Sequence, residues 1–387
     1  MRLLAIALAF AANLAFAQAP EAAFQGVFVD AMQALQAGDA ERAERLFRDI
    51  LARTDSPRVK LELARALYLQ GRLKEAKTLF DEVAALSDTP WRVRDNIAPF
   101  VRDIEERTGY LKVGFSLVSD SNPRSIARQE EFTIGGIRVT PTEAPQEEAG
   151  LRYSLRGWWP FDESGRHAVY LSAAYNDFSG QELDRLTLDA GAMSWLGATG
   201  RLRGKAGIEA GTFGGSRLYD FPYVALEAVL AEAPAWRLAG EAKLGRVRFH
   251  DYAYLNADFL SSALSLHRAL AQTAAGTLRA SVELSRAAED PYTYDGLELA
   301  SGLHVLWPAS AYTLGASATY GEREYAAADP LFGQVRADTK LRLELTLGNR
   351  NWRLRGKQVA LVAAVEENHS SIEFYAYRKA NLTVVVD

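Results

Sequence analysis

Cysteine is absent from the 387-residue sequence. This absence excludes disulfide frameworks, thiolate zinc sites, cysteine nucleophiles and a cysteine that carries a lipid anchor. After the N-terminus, no apolar run reaches the roughly 18 residues that a membrane-spanning helix needs. An excess of one charge is also missing, since 44 Lys and Arg are interspersed with 49 Asp and Glu. The composition therefore predicts no nucleic-acid partner.

The sequence begins "MRLLAIALAFAANLAFAQAP", which has the pattern of a secretory signal peptide. Arg2 provides the charged start, an apolar core follows, and Ala15-Phe16-Ala17 is a small-x-small cleavage site. We assign residues 1–17 to the signal peptide and expect the mature protein to leave the cytoplasm. An uncleaved anchor is the alternative, which the short apolar run disfavours.

Residues 18–107 have the composition of a helical domain, with abundant Ala, Leu, Arg and Glu. The stretches "QAGDAERAERLFRDIL" and "LQGRLKEAKTLFDEVA" align at an offset of 33 residues (71 minus 38), next to the roughly 34 of tetratricopeptide repeats. In each repeat the glycine should end the first helix, the alanine should allow close packing, and the phenylalanine should fill the gap between pairs. The aligned residues are Gly38 and Gly71, Ala43 and Ala76, and Phe47 and Phe80.

Two such pairs bury little core, so a capping helix is expected near Trp91–Glu106. A generic helical hairpin without a peptide groove is the alternative interpretation of this domain.

From residue 109 to residue 387, apolar and polar residues alternate with a period of two, which predicts β-strands. In "ADTKLRLELTL" one face carries Leu341, Leu343, Leu345 and Leu347 and the other carries charge. We predict a 14-stranded antiparallel transmembrane β-barrel after the tetratricopeptide-like helices, a combination of α and membrane β folds. The segments lie near 110–117, 150–159, 168–177, 184–196, 201–213, 220–231, 236–249, 257–268, 276–287, 295–307, 311–322, 338–348, 356–366 and 371–386.

The connections alternate between short turns and longer polar loops such as "GGSRLYD" and "YAAADPLFGQVRAD", the layout of outer-membrane barrels. Six tryptophans, Trp158, Trp159, Trp195, Trp236, Trp307 and Trp352, lie beside short turns. Tryptophan prefers the membrane interface, so the leucine face should contact lipid in the outer membrane of a Gram-negative bacterium. A soluble β-rich enzyme is the alternative.

Charged residues of both signs should face the barrel lumen. They either pair to stiffen or plug the barrel, or line a polypeptide passage that binds weakly at many points. The candidates are Arg152, Arg156, Arg203, Lys205, Glu209, Glu241, Lys243, Arg279, Glu283, Glu298, Arg342 and Glu344. The five histidines have no metal-ligand spacing and no nucleophile-elbow motif occurs. We therefore expect no catalytic residue, metal or cofactor.

Three stretches resemble the surface lipoprotein assembly modulator family, the outer-membrane component of type XI secretion. "GYLKVGFSLVSDSNP" resembles the family's opening strand, "DPLFGQVRAD" its Phe-Gly-x-x-Arg-x-Asp pattern, and "NHSSIEFYAY" its C-terminal pattern. The matching residues are Asp120, Asn122, Phe332, Gly333, Arg336, Asp338, Asn368, Ser370, Tyr375 and Tyr377. One departure is the ending "LTVVVD", where family barrels usually end on an aromatic residue.

The resemblance implies an outer-membrane translocation or assembly factor that delivers a surface lipoprotein, or a small secreted metal- or haem-acquisition protein, to the cell surface. It also implies contacts with periplasmic chaperones, the barrel-assembly machinery and outer-membrane lipid. A passive or substrate-specific pore is the first alternative, and a barrel-type envelope hydrolase is the second.

Overall fold

The computed structural model describes residues 22–127, 129, 131–134, 137–140, 144–162, 165–197 and 199–386. The predicted signal peptide, residues 1–17, and the final Asp387 lie outside the described residues. The described chain divides between Tyr110 and Leu111 into two compact units. The first unit is helical and the second is a β-barrel, and each is described by itself.

Five helices form the described part of the first unit. They are α1 (Ala22–Gln36), α2 (Ala40–Leu51), α3 (Pro57–Leu69), α4 (Leu73–Ala85) and α5 (Trp91–Thr108). Gly38 follows α1 and Gly71 follows α3, with φ angles of +84° and +77°. Glycine adopts this left-handed conformation at little cost, and it ends each helix there. The Asp39 side chain then caps α2 by accepting the backbone N–H of Arg42 at 3.0 Å.

The repeated alanines and phenylalanines form the core of the helical unit. None of these four side chains has any exposed surface: Ala43, Ala76, Phe47 and Phe80. Phe47 packs on Phe28 of α1 with ring centroids 5.8 Å apart, and Phe80 stacks on Phe100 of α5 at 5.3 Å. Helix α5 therefore covers the apolar face of the second helix pair. The predicted tetratricopeptide-like fold is confirmed.

The second unit is a closed antiparallel barrel of fourteen strands among the described residues. The strands are β1 (Tyr110–Asp120), β4 (Glu148–Pro160), β5 (His167–Phe178), β6 (Arg185–Leu196), β7 (Leu202–Phe213), β8 (Ser216–Ala233), β9 (Trp236–Phe249), β10 (Ala257–Ala271), β11 (Ala274–Ala287), β12 (Tyr294–Trp307), β13 (Tyr312–Ala328), β14 (Val335–Leu354), β15 (Lys357–Ser370) and β16 (Tyr377–Val386). A hairpin of β2 (Phe132–Ile134) and β3 (Ile137–Val139) lies in the connection after β1. The predicted 14-stranded fold is confirmed.

The alternation in β14 separates an apolar outer face from a charged inner face. Its four alternate leucines, Leu341, Leu343, Leu345 and Leu347, are 44%, 47%, 55% and 39% exposed. Between them, Arg342 and Glu344 form an ion pair of 2.8 Å on the other face. A row of exposed leucines on a closed barrel is the lipid-facing band of a membrane protein.

Separately, none of the described helices is both long enough and apolar enough to cross a membrane.

Two connections differ from the sequence prediction. The stretch "GGSRLYD" is not a long loop, because β8 begins at Ser216 and only Gly214 and Gly215 remain in the turn. Their φ angles are +57° and +79°, which matches a two-residue hairpin turn that glycine favours. The last strand begins at Tyr377 and not at residue 371, since Glu373–Tyr375 form a single 3-10 turn.

The tryptophans lie at the short-turn ends of their strands, but they do not all face lipid. Trp159, Trp236 and Trp307 are exposed on the outer face. Trp195 faces inward in strand register with Arg203, whose guanidinium lies 5.1 Å from its ring centroid. Trp158 alternates with Trp159 and so also faces inward. Only part of the tryptophan set therefore forms the interfacial belt.

Candidate functional site: the barrel lumen and its loop cluster

On every strand concerned, the predicted lumen-facing charged residues lie on the face that is turned away from the exposed apolar side chains. They are Arg152 and Arg156 on β4, Arg203, Lys205 and Glu209 on β7, Glu241 and Lys243 on β9, Arg279 and Glu283 on β11, Glu298 on β12, and Arg342 and Glu344 on β14. The inner face is therefore a polar wall with charges of both signs.

Most of these charges pair with a neighbour on the wall. On β7 and β8, Glu227 accepts Arg203 Nε at 2.9 Å and also pairs with Lys205. Lys243 Nζ donates to Glu209 Oε2 at 3.0 Å. Because these partners lie on strands at most two places apart, the pairs stiffen the wall and do not plug the lumen.

The same pattern continues around the barrel. Glu241 on β9 pairs with Arg279 on β11. Arg323 Nη2 lies 2.9 Å from Glu283, and Arg342 Nη1 lies 3.3 Å from Glu366 on β15. The next cation in this row, Lys379 on β16, lies 3.5 Å from Glu366.

Three predicted residues differ from this pattern. Within the part of the chain that the structure describes, Arg152, Arg156 and Glu298 form no ion pair. Arg152 and Arg156 both lie on β4, and neither guanidinium contacts a carboxylate of a described residue.

The family motif around Phe332 lies at the long-loop end, between β13 and β14. Asp329 organises this loop, because its Oδ1 accepts the backbone N–H groups of Leu331 at 2.8 Å and Phe332 at 3.2 Å. Gly333 has a φ of +66°, which suits glycine in a tight turn. The Tyr375 hydroxyl donates to Asp329 Oδ2 at 2.7 Å and so joins this loop to the one before β16.

Arg336 is the centre of this loop cluster. Its guanidinium lies 3.6 Å from the ring centroid of Tyr375 and 4.7 Å from that of Tyr325. Its Nη2 also donates to Asp338 Oδ2 at 2.6 Å. Asp338 is only 8% exposed, so Arg336 supplies the charge that makes this burial tolerable.

The remaining motif residues fix the turn before β16. Asn368 Nδ2 donates to the carbonyl of Tyr375 at 2.9 Å, and Ser370 Oγ accepts the backbone N–H of Ile372 at 3.2 Å. The Tyr377 hydroxyl donates to Glu366 Oε1 at 2.8 Å. Burial and the hydrogen bond to Asp329 raise the pKa of Tyr375 above its usual range, which keeps its hydroxyl a donor.

The opening-strand motif lies next to the same cluster. Asn122, which is almost fully buried, donates its backbone N–H to Asp120 Oδ1 at 2.9 Å. Its Nδ2 donates to the carbonyl of Ile126 at 2.8 Å and approaches that of Arg378 on β16 at 3.4 Å. This motif therefore closes the start of the first long loop against β16.

An aromatic contact completes the cluster. Phe132 in β2 packs edge-on against Phe374 at 5.3 Å, and Phe374 packs against Phe332 at 5.4 Å. The three sequence motifs are thus gathered at the end of the barrel where β1 and β15 end and where β14 and β16 begin. Sequence reasoning missed Phe132 and Asp329. The turn residue Asp before Pro in "DPLFG" was a signal for Asp329, whereas Phe132 had none.

No group of three or more His, Asp or Glu side chains that could hold a metal ion occurs among the described residues. What the site offers is a charged, water-accessible wall and a loop cluster packed at one end of the barrel.

A closed 14-stranded barrel with an apolar outer face and a polar lumen defines a Gram-negative outer-membrane protein. Residues 34–89 match a tetratricopeptide repeat model. Residues 217–387 match the family described as surface lipoprotein assembly modifier. The resemblance seen in the sequence is confirmed, and the protein has an outer-membrane role in the surface assembly of lipoproteins.

Solved outer-membrane barrels are similar in fold only. OccAB4 of Acinetobacter baumannii is 11% identical, with a TM-score of 0.42 over 73% of this chain and 98% of that one. OprD of Pseudomonas aeruginosa is 8% identical, with a TM-score of 0.38 over 72% and 94%. A loop-deletion mutant of OmpT of Vibrio cholerae is 12% identical, with a TM-score of 0.37 over 72% and 99%. No curated protein matches the sequence.

Proposed function

We propose that this protein translocates a client polypeptide, a surface lipoprotein or a small secreted metal- or haem-acquisition protein, across the outer membrane. The helical domain receives the client or its chaperone in the periplasm, and the barrel passes it outward. The observation that carries this proposal is the lumen wall, where paired charges of both signs offer many weak contacts without a deep trap. Transit requires binding that is easily released.

The size of the barrel sets the state of the client. Strands about 4.8 Å apart and tilted by about 40° give a 14-stranded cylinder a backbone diameter of roughly 28 Å. Inward side chains narrow this opening. An extended chain, about 10 Å thick, fits, whereas a folded domain of about 100 residues, with a radius of gyration near 13 Å, does not. The client therefore passes unfolded, and its folding outside supplies a driving force.

The role is non-enzymatic in this proposal, because the matched family is described by assembly and not by a reaction. The client's identity, the periplasmic chaperones and the help of the barrel-assembly machinery belong to the same proposal.

Deleting residues 21–106 tests the proposal, because a simple pore needs no helical repeat domain. Surface display of a co-expressed lipoprotein is measured with antibody on intact cells, and small-solute uptake is measured in parallel. We expect display to fall while the barrel remains heat-modifiable in gels. Unchanged display of exported proteins together with reduced solute uptake would favour the pore.

A further inference from the structure

The wall formed by β4 and β5 differs from the rest of the lumen. Around Arg152 and Arg156, its inward positions carry small or uncharged side chains, namely Ser154 on β4 and Ser172, Ala174 and Asn176 on β5. Arg152 and Arg156 are both exposed and project from this part of the wall.

Register explains why these arginines lack partners. Arg152 lies opposite Asn176 on β5, and Asn176 lies opposite Arg185 on β6. The inward positions level with Arg152 on these two strands therefore contain no acidic residue. Arg156 lies opposite Ser172, and Ser172 lies opposite Asp189.

Elsewhere a charge reaches across a small residue to a partner two strands away, as Arg279 reaches Glu241 across Ser265. Asp189 forms no ion pair with Arg156. Its Oδ1 instead accepts a hydrogen bond from the Tyr223 hydroxyl at 2.8 Å. The Tyr223 hydroxyl also lies 2.6 Å from that of Tyr170.

Other lumen cations differ from Arg152 and Arg156 because they pair with carboxylates. Arg203, Lys205, Lys243, Arg279 and Arg342 are each paired with a carboxylate, whereas Arg152 and Arg156 are not paired with any described residue. Arg185 adds a third positive charge nearby and donates to the carbonyl of Pro123 at 2.6 Å. Two arginines that contact no carboxylate, in a narrow aqueous path, attract anions.

We propose that this wall, through Arg152 and Arg156, binds an extended acidic segment of a polypeptide. The two arginines are four residues apart on one strand, about 13 Å, which matches carboxylates four residues apart on an extended chain. Each guanidinium forms a fork that fits a carboxylate. The inference rests on the proposed function, since it names the class of client segment that the lumen prefers.

The test uses the full-length protein in lipid nanodiscs and a labelled peptide of Gly and Ser with Glu at every fourth position. A peptide with Gln at the same positions is the neutral probe, and binding is followed by fluorescence anisotropy. Arg152→Gln/Arg156→Gln should weaken binding of the Glu peptide by about tenfold or more. Arg152→Lys/Arg156→Lys should restore part of it, and added salt should weaken it.

Arg203→Gln is the matched control, because it also removes one lumen arginine but leaves the Lys205–Glu227 pair intact. We expect it to change the affinity little. Equal affinity for the Glu and Gln peptides would overturn the inference, and so would an equal loss in Arg203→Gln. Complete competition by chloride or inorganic phosphate at low concentration would also overturn it, since the wall would then be a general anion site.

The two proposals can fail separately. If the helical-domain deletion leaves lipoprotein display intact while the full-length protein in nanodiscs still selects the Glu peptide, the translocation role fails and the acidic-peptide site remains. If display depends on the helical domain but the Glu and Gln peptides bind with equal affinity, the translocation role remains and the acidic-peptide site fails.

Discussion

Replacing Arg336 with alanine should open the loop cluster at the outer end of β14. The substitution removes two cation–π contacts, with Tyr375 and Tyr325, worth about 1–2 kcal/mol together. It also leaves the nearly buried Asp338 without its ion-pair partner, which adds about 2 kcal/mol or more. A loss of about 3–4 kcal/mol raises the open fraction of the loops about a hundred- to a thousandfold.

Chymotrypsin added to intact cells measures this opening, because Phe332 and Phe374 are cleavage sites within the cluster. We expect rapid cleavage in Arg336→Ala and slow cleavage in the wild type, while both barrels remain heat-modifiable. Arg217→Ala is the control, since its pair with Asp220 lies at the same end and is exposed, where an ion pair contributes about 1 kcal/mol or less.

A double substitution tests whether the unpaired carboxylate of Asp338 causes the loops to open. Arg336→Met/Asp338→Asn removes the buried charge together with its partner, so its loops should be cleaved more slowly than those of Arg336→Ala. If the double variant opens as much as the single one, the stranded carboxylate is not the cause. If Arg336→Ala is as resistant as the wild type, Arg336 does not hold the loops.

The helical domain gives two further predictions, read from helical circular dichroism of the full chain. Phe80→Ala removes a fully buried ring and should cost about 3–5 kcal/mol, lowering the helical melting temperature by more than 10 °C at roughly 4–8 °C per kcal/mol, whereas the exposed Leu69→Ala should change it little. The second prediction concerns pH. Burial opposes ionisation of Glu44, but hydrogen bonds from Gln70 and Arg72 hold its pKa below the usual value, so its stabilisation is present at neutral pH and lost in acid. Burial raises the pKa of Glu62 against the pull of Arg65, so its stabilisation is present in acid and lost as pH rises. Relative to the wild type, Glu44→Gln should therefore melt lower at neutral pH and Glu62→Gln higher, and both differences should shrink in acid; differences of the same sign would contradict these assignments.

The strands were predictable because each has one face in lipid and the other in water, which imposes a strict period of two on the sequence. The repeat was predictable for a similar reason, since Ala43 and Ala76 occupy equivalent packed positions. Turn and loop propensities predicted the wrong boundaries for the connection between β7 and β8. Gly214 and Gly215 form a complete turn, and the polar residues after them, which suggest a loop, extend β8 beyond the apolar band.

The pairing of lumen charges depends on register between strands, which alternation does not supply. Alternation shows that Glu241 and Arg279 face inward, but their contact depends on the register of β10, which places small residues between them, Ser265 opposite Arg279 and Ala263 opposite Glu241. The same knowledge is needed to see that Asp189 lies in the row of Arg156 and is already bonded to Tyr223. Side-chain type alone therefore lists the charges of a barrel, whereas register decides which of them stay free to meet a passing chain.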